Sequence, residues 1–404
     1  MNLRLVAIVT AGCLLASCGG PATPSVTGAQ ISTLATSAPT TSARETAPPS
    51  PDPSPRAAAC RLSDPVSIPA PASLLSLGGS VAGLTDQGEL IVVQSHLVGV
   101  VDTLSLLDPR SGAITPVVSR PVAKSQDAAK SSIGGAPIGN ADWVVWEEVG
   151  PYLEHADWTM WALDRRSGTI RKVASFAPGP DGLAAPGWAS DVSLLGDVAT
   201  WSAPAMLGPN RAGERIYVAD LRAKTVQRLD VEAKWPALAS ANQLVAAMQV
   251  GTDPGSGKVL AQPTTITIAS GATTVQDWIG PARLLAQASS SAGTVVTRLV
   301  KEATAEDPVT VAEVLTHDAA GVTRTFPLPN DWGPVVAGTG FLAWTDQRDL
   351  WILPSGQAEP TLLLTTPDDS TQIAILVNGS TVFWRTVGDA SSWTANAMAT
   401  VVCS

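Results

Sequence analysis

Residues 142–174 hold the pattern that decides the fold. The stretch opens Asp142-Trp143-Val144-Val145-Trp146-Glu147 and resumes after a polar loop as Trp158-Thr159-Met160-Trp161-Ala162-Leu163. It turns at Asp164-Arg165-Arg166-Ser167-Gly168 and ends Thr169-Ile170-Arg171-Lys172-Val173-Ala174. Short runs of β-branched and aromatic residues bounded by turn residues are the signature of strands. Asp caps its own turn through its carboxylate, and Gly supplies the positive φ that closes it. The stretch predicts three antiparallel strands joined by short connections.

The same phrase recurs along the chain. Its turns fall at Leu107-Asp108-Pro109-Arg110-Ser111-Gly112, Ala219-Asp220-Leu221-Arg222-Ala223-Lys224, Ile268-Ala269-Ser270-Gly271, Thr316-His317-Asp318-Ala319-Ala320-Gly321 and Leu353-Pro354-Ser355-Gly356. Upstream lies an apolar run, often built around Trp. The clear copies are Asp197 to Ser202, Gly340 to Thr345 and Ser380 to Arg385; the weaker ones are Leu90 to Gln94, Gln243 to Met248 and Ala282 to Gln287. The period of roughly 40 to 55 residues suits propeller blades. A single blade cannot bury both faces, so stacked copies must supply the core. A pair of β-sandwiches or a β-solenoid would use similar repeats.

The hydrophobic-Trp run followed by a strand ending Asp-x-x-Ser/Thr-Gly resembles the blades of bacterial extracytoplasmic propellers of the TolB-like and WD40-like kind. The resemblance covers residues ~75 to 402. No copy has a full Gly-His…Trp-Asp pair, and none has the Ser-Pro-Asp-Gly turn of TolB-type blades. It implies an all-β chain with a β-propeller over residues 60–404, of seven blades. The last repeat, Gln372 to Val402, shows no fourth strand of its own, so residues near Cys60 to Ile68 are expected to complete it.

The start of the chain has a different character. Arg4 precedes an apolar run from Leu5 to Ala16, the length of a signal h-region and too short to span a bilayer. The run ends in Leu15-Ala16-Ser17-Cys18, which resembles the lipobox of bacterial lipoproteins. The resemblance implies that residues 1–17 are a signal peptide cut before Cys18. Cys18 then carries diacylglycerol and a further acyl chain such as palmitate, and anchors the protein on the extracytoplasmic face of the cell membrane. Residues 18–59 read as a disordered tether: between 21 and 57 stand 8 Pro, 13 Ser or Thr and no aromatic residue, so nothing there offsets the entropy of ordering. Ser/Thr-Pro composition also suits O-glycosylation.

Cys13 and Cys18 belong to the signal and the anchor, which leaves Cys60 and Cys403. In an oxidising compartment an even pair invites a disulfide, here one joining the two ends of the domain. Loop closure of that length is worth on the order of 5 kcal/mol. The alternative is two unpaired buried thiols.

A net charge of −10 without basic clusters excludes nucleic acid as a natural partner. The three His, at 96, 155 and 317, form no metal-ligand spacing. No nucleophile elbow, phosphate-binding loop or dinucleotide fingerprint is present. No catalytic residue, metal ligand or cofactor is therefore assigned. One loop, Glu147 to Asp157, concentrates carboxylates beside a Tyr and a His. Glu147, Glu148, Tyr152, Glu154, His155 and Asp157 are its candidate ligand residues, since carboxylates flanked by aromatics hold sugars or cations or act as acid and base. A solvated hairpin over a Trp core is the plainer account. Trp146 shares a face with Val144 and is expected to pack between blades. Most of the 13 Trp are expected at that repeated position, with a few lining a channel.

These features predict a lipid-anchored binding or scaffold module of the cell envelope whose partner is a protein or an envelope glycan. Two alternatives are a carbohydrate-active hydrolase or lyase using carboxylates at the channel mouth, and an accessory solute-binding lipoprotein. Two carboxylates converging in a polar pocket would favour the enzyme; an exposed apolar rim would favour the scaffold.

Overall fold

The computed structural model describes residues 60–68, 79–94, 103–118, 132–149, 158–176, 189, 192–208, 211–303, 310–328, 333–346, 348–366, 372–387 and 393–403. The expected signal peptide, Cys18 and the tether lie outside the described residues. Among those described, every regular element is a strand.

Strands β1 (Cys60–Leu62) and β2 (Val66–Ser67) come first, and four-stranded antiparallel meanders then follow one another. The first comprises β3 (Gly79–Thr85), β4 (Leu90–Gln94), β5 (Thr103–Leu107) and β6 (Ile114–Val118). The second comprises β7 (Ser132–Gly139), β8 (Trp143–Val149), β9 (Trp158–Asp164) and β10 (Thr169–Ser175), and the third β11 (Ser193–Leu195), β12 (Val198–Gly208), β13 (Arg211–Asp220) and β14 (Thr225–Leu229). The fourth is β15 (Ala233–Ser240), β16 (Gln243–Thr252), β17 (Val259–Thr267) and β18 (Thr273–Val275). The fifth is β19 (Leu284–Ser290), β20 (Gly293–Lys301), β21 (Val311–Asp318) and β22 (Thr323–Leu328), and the sixth β23 (Val335–Gly338), β24 (Phe341–Thr345), β25 (Asp349–Pro354) and β26 (Thr361–Thr365). The last meander contributes β27 (Gln372–Asn378), β28 (Thr381–Val387) and β29 (Trp393–Cys403), and its fourth strand is β1, in the register Cys60↔Cys403 and Leu62↔Val401. The N-terminal strand thus completes the C-terminal unit, as expected from the sequence, and Cys60 and Cys403 form a disulfide across that pair.

The leading strand of every meander lines one axial cavity, with Leu84, Ile138, Ser193, Ala237, Gln287, Val336 and Ile375 each from a different unit. Meanders arranged around one axis with a strand exchanged at the seam are a β-propeller. The first two meanders also merge into one eight-stranded sheet, because β3 and β7 run parallel and pair at Leu84↔Ile138 and Thr85↔Gly139. That approach requires Gly83, where a Cβ would stand 1.8 Å from the Pro137 carbonyl oxygen.

The core lies between units. Trp146, Trp201, Trp344 and Trp384 occupy the same position on the second strand, opposite Trp161, Tyr217, Trp351 and Ala397. Each is buried against the preceding unit. An indole burying ~200 Å² contributes about 5 kcal/mol before entropy is counted. Val93, Ala246 and Val296 stand at the equivalent place in the weaker copies.

One sequence assignment is corrected. Ala282 to Gln287 is not a second-strand run: Leu284 begins β19, the inner strand, and the second strand is β20. Gly293-Thr294-Val295-Val296-Thr297 has no Trp, so the mark that identified the other second strands is missing there.

The rim carrying the first turn of each meander is tied by polar contacts. Trp143 donates from Nε1 to Asp197 at 2.9 Å, Arg222 grips Asp197 with two hydrogen bonds, and Arg166 does the same to Asp142. Asn378 donates to the carbonyls of Leu84 and Gly139, joining the last unit to the first two.

Candidate functional site

The sequence-predicted loop is not assembled as a site by the described residues. Glu147 and Glu148 belong to β8, and both are buried. Successive residues of a strand face opposite ways. Glu147 Oε1 accepts from the Ala189 N–H at 3.0 Å, whereas Glu148 Oε1 accepts from Trp146 Nε1 at 3.3 Å. The two carboxylates are therefore held on opposite faces by the protein itself. Tyr152, Glu154, His155 and Asp157 lie outside the described residues.

A different constellation forms where the third and fourth units meet. It starts from a defect in β15. Lys234 pairs with Ala247, but the next paired residue is Ala237 with Val245, so Trp235 and Pro236 bulge. Proline has no N–H to give the ladder and is accommodated at such a bulge. Trp235 takes φ 51°, in the left-handed region, at a cost of about 1–2 kcal/mol for a residue with a Cβ. Bulges re-aim side chains, and here the half-buried indole becomes a wall shared by two spaces. On one side is the axial cavity, about 220 Å³; on the other is a cleft of about 480 Å³.

The cleft carries Glu214, Glu232, Lys234 and Gln249. Glu214 projects from β13 and its carboxylate lies 3.6 Å from Lys234 Nζ. Burial pushes the Glu214 carboxyl above the usual range, opposed by the Lys234 charge and a hydrogen bond from Ser202. Gly213 permits the approach of Glu232, whose Oε1 would stand 2.8 Å from a Cβ there. Two carboxylates, one ammonium, an amide and an aromatic face are the groups that bind sugars or charged small molecules.

The axial cavity is different. Among the described residues its lining is largely apolar and includes no charged side chain. Ser289 is bonded to Thr294 at 3.0 Å, and Ser193 accepts from the Leu238 N–H at 3.0 Å. Gln287 is 6% exposed, and neither its Nε2 nor its Oε1 has a hydrogen-bond partner.

Sequence reasoning missed Trp235, Glu214 and Gln287. The pair Trp235-Pro236 interrupting an alternating run was the one available signal. Nothing in the order of residues marks Glu214 and Lys234 as neighbours, because they come from different units.

No protein-family model and no curated protein matches the chain. Among solved structures, the β-propeller domain of the Trilobed protease from Pyrococcus furiosus is matched with a TM-score of 0.48 at 8% identity, over 82% of this chain and 91% of that one. The tricorn protease is matched at 0.44 and 9% identity; 68% of this chain is covered but only 30% of that chain's length. TolB from Acinetobacter baumannii is matched at 0.31 and 12% identity, over 74% and 60%. The fold assignment rests on the strand order and the shared axial cavity described above.

Proposed function

We propose that this chain is a lipid-anchored propeller on the extracytoplasmic face of the cell membrane, working as a binding module for a protein or glycan of the envelope. The anchor reading is supported by Leu15-Ala16-Ser17-Cys18 and the Pro/Ser/Thr-rich tether behind it, since two acyl chains give stable attachment. A disulfide-closed domain suits an oxidising compartment. The observation that carries the binding reading is the cleft at the third and fourth units, where Trp235 is held in a strained conformation beside Glu214, Glu232 and Lys234. Strain concentrates at functional sites.

The test is a pull-down from native membranes after mild crosslinking, using wild type and a Glu214→Ala/Lys234→Ala variant. A discrete protein or glycan captured by wild type and lost from the variant supports the reading. Equal capture by both removes the cleft from it. Replacing Cys18 by Ser should release the protein from the membrane fraction; retention there would refute the anchor.

The presence of two carboxylates in the cleft, one with a raised pKa, favours a second reading, cleavage of a bound glycan by acid–base chemistry. Glu214→Gln would then abolish product formation while leaving glycan capture intact.

A further inference from the structure

We infer that the axial cavity beside Trp235 is a binding site for a single neutral pyranose ring, read through two adjacent hydroxyls by the carboxamide of Gln287. The inference deepens the binding reading above and rests on its use of Trp235.

Three observations converge. The first is Gln287 itself, buried to 6% exposure with both amide atoms unpartnered. Buried polar groups in native proteins are almost always satisfied, and an orphaned one calls for an account. A carboxamide offers one donor and one acceptor side by side. Adjacent hydroxyls on a ring are complementary to it, one accepting from Nε2–H while the other donates to Oε1. The second is the sign of the lining. No charged side chain faces the cavity among the described residues, so an acidic or phosphorylated sugar would lose hydration without gaining a counter-charge. The third is Trp235, whose indole borders the same space. An aromatic face packs against the C–H face of a sugar ring, and the left-handed backbone that presents it is not explained by packing alone.

The remaining hydroxyls also find partners. The leading strands β11, β15, β19, β23 and β27 each end their sheet on the axial side, and a terminal strand exposes unpaired N–H and C=O groups. The volume, about 220 Å³, equals roughly seven waters at ~30 Å³ each. That is room for one ring, not for a chain, so a longer glycan would extend past Trp235 into the charged cleft.

The experiment is calorimetric titration of the full-length protein in detergent with methyl β-glucopyranoside, methyl α-mannopyranoside, the 2-deoxy analogue of the tighter of the two, and glucuronate. At least one neutral glycoside should bind, with the deoxy analogue and glucuronate weaker by about tenfold or more. Gln287→Leu should weaken binding by a similar factor without lowering Tm, because it removes an unsatisfied buried amide. Trp235→Gly should also weaken binding and leave the fold intact, since Gly adopts the required φ freely. Absence of binding by every neutral glycoside, or unchanged binding by Gln287→Leu, overturns the inference. Partner capture by Gln287→Leu in the pull-down would leave the cleft reading standing while this one falls. Glycoside binding that persists in Glu214→Ala/Lys234→Ala, with capture also unchanged, would remove the cleft reading and keep this one.

Discussion

Cys60 and Cys403 face each other across the β1–β29 pair and are joined by a disulfide, although 343 positions separate them in the chain. Gly340 of the neighbouring unit packs directly on this bond; a Cβ there would lie 2.5 Å from Cys403 Sγ and 3.2 Å from Cys60 Sγ. The N–H of Cys60 donates to the Ser355 carbonyl at 3.1 Å in that same unit. The seam is therefore closed by backbone pairing, by a covalent bond and by packing against the sixth meander.

Loss of the bond should open the ring at this seam first. Replacing both cysteines by Ser is expected to cost about 2–5 kcal/mol, read as a lower urea midpoint than wild type. Reductant should shift wild type by the same amount and leave the double variant unmoved. Gly340→Ala should be more harmful than most surface changes, because the sulfurs cannot move aside without disturbing β29. A variant with wild-type midpoint would show that the pairing alone closes the ring.

The repeated turns offer a stabilising change. Gly112, Gly168, Gly271, Gly321 and Gly356 sit at φ between 68° and 82°, and in the third unit Lys224 takes φ 59°. A residue with a Cβ is disfavoured there by ~1 kcal/mol. Lys224→Gly should therefore gain several tenths of a kcal/mol, after the greater freedom of Gly in the unfolded chain is subtracted. Thermal unfolding of the two proteins checks it, and a lower Tm for the variant would contradict it.

Acid should weaken the junction of the second and third units. Arg222, through its hydrogen bonds, holds Asp197 below its ordinary pKa of 3.8, with burial opposing and Trp143 assisting. A carboxylate whose folded pKa is depressed adds stability that is fully present above 3.8 and lost as pH falls through its folded value. Asp197→Asn should be less stable than wild type at pH 7, and the gap should close below pH 3.8. Urea midpoints at pH 7 and pH 3 measure this; a constant gap would assign the effect to geometry.

Glu214 has the opposite sign. Burial raises its pKa above 4.5, so its contribution favours the folded state at low pH and is lost as pH rises through the folded value. Glu214→Gln should be slightly more stable than wild type at pH 7, by under about 1 kcal/mol given its partial exposure. It should lose that advantage at pH 4. If the variant is less stable at pH 7, its pairing with Lys234 outweighs the burial.

The relation between chain and structure differs from one feature to the next. Second, third and fourth strands were legible because their alternation and their Asp/Gly turns are local: β4, β5, β6 and β14 begin and end where the residue pattern places them. The inner strands were not. Segments such as Ser132–Gly139, reading Ser-Ile-Gly-Gly-Ala-Pro-Ile-Gly, have weak β propensity and become strands because a neighbour on one side pairs with them. The β20 run was missed for a similar reason, since its Val296 fills the place that Trp146 fills elsewhere and carries no distinguishing mark.

Residue order alone settled the all-β class, the repeat length and the meeting of the two chain ends at Cys60 and Cys403, because turn chemistry, strand alternation and cysteine count act over short distances or need no geometry at all. Which side chains converge was decided only when the ring closed. Glu147 and Glu148 are adjacent in the chain yet face apart, since a strand alternates its faces. Glu214 and Lys234 come from different units yet lie 3.6 Å apart, since neighbouring meanders pack face to face. Gln287 became an unpartnered amide on the axis because the leading strands of all the meanders turn toward one space.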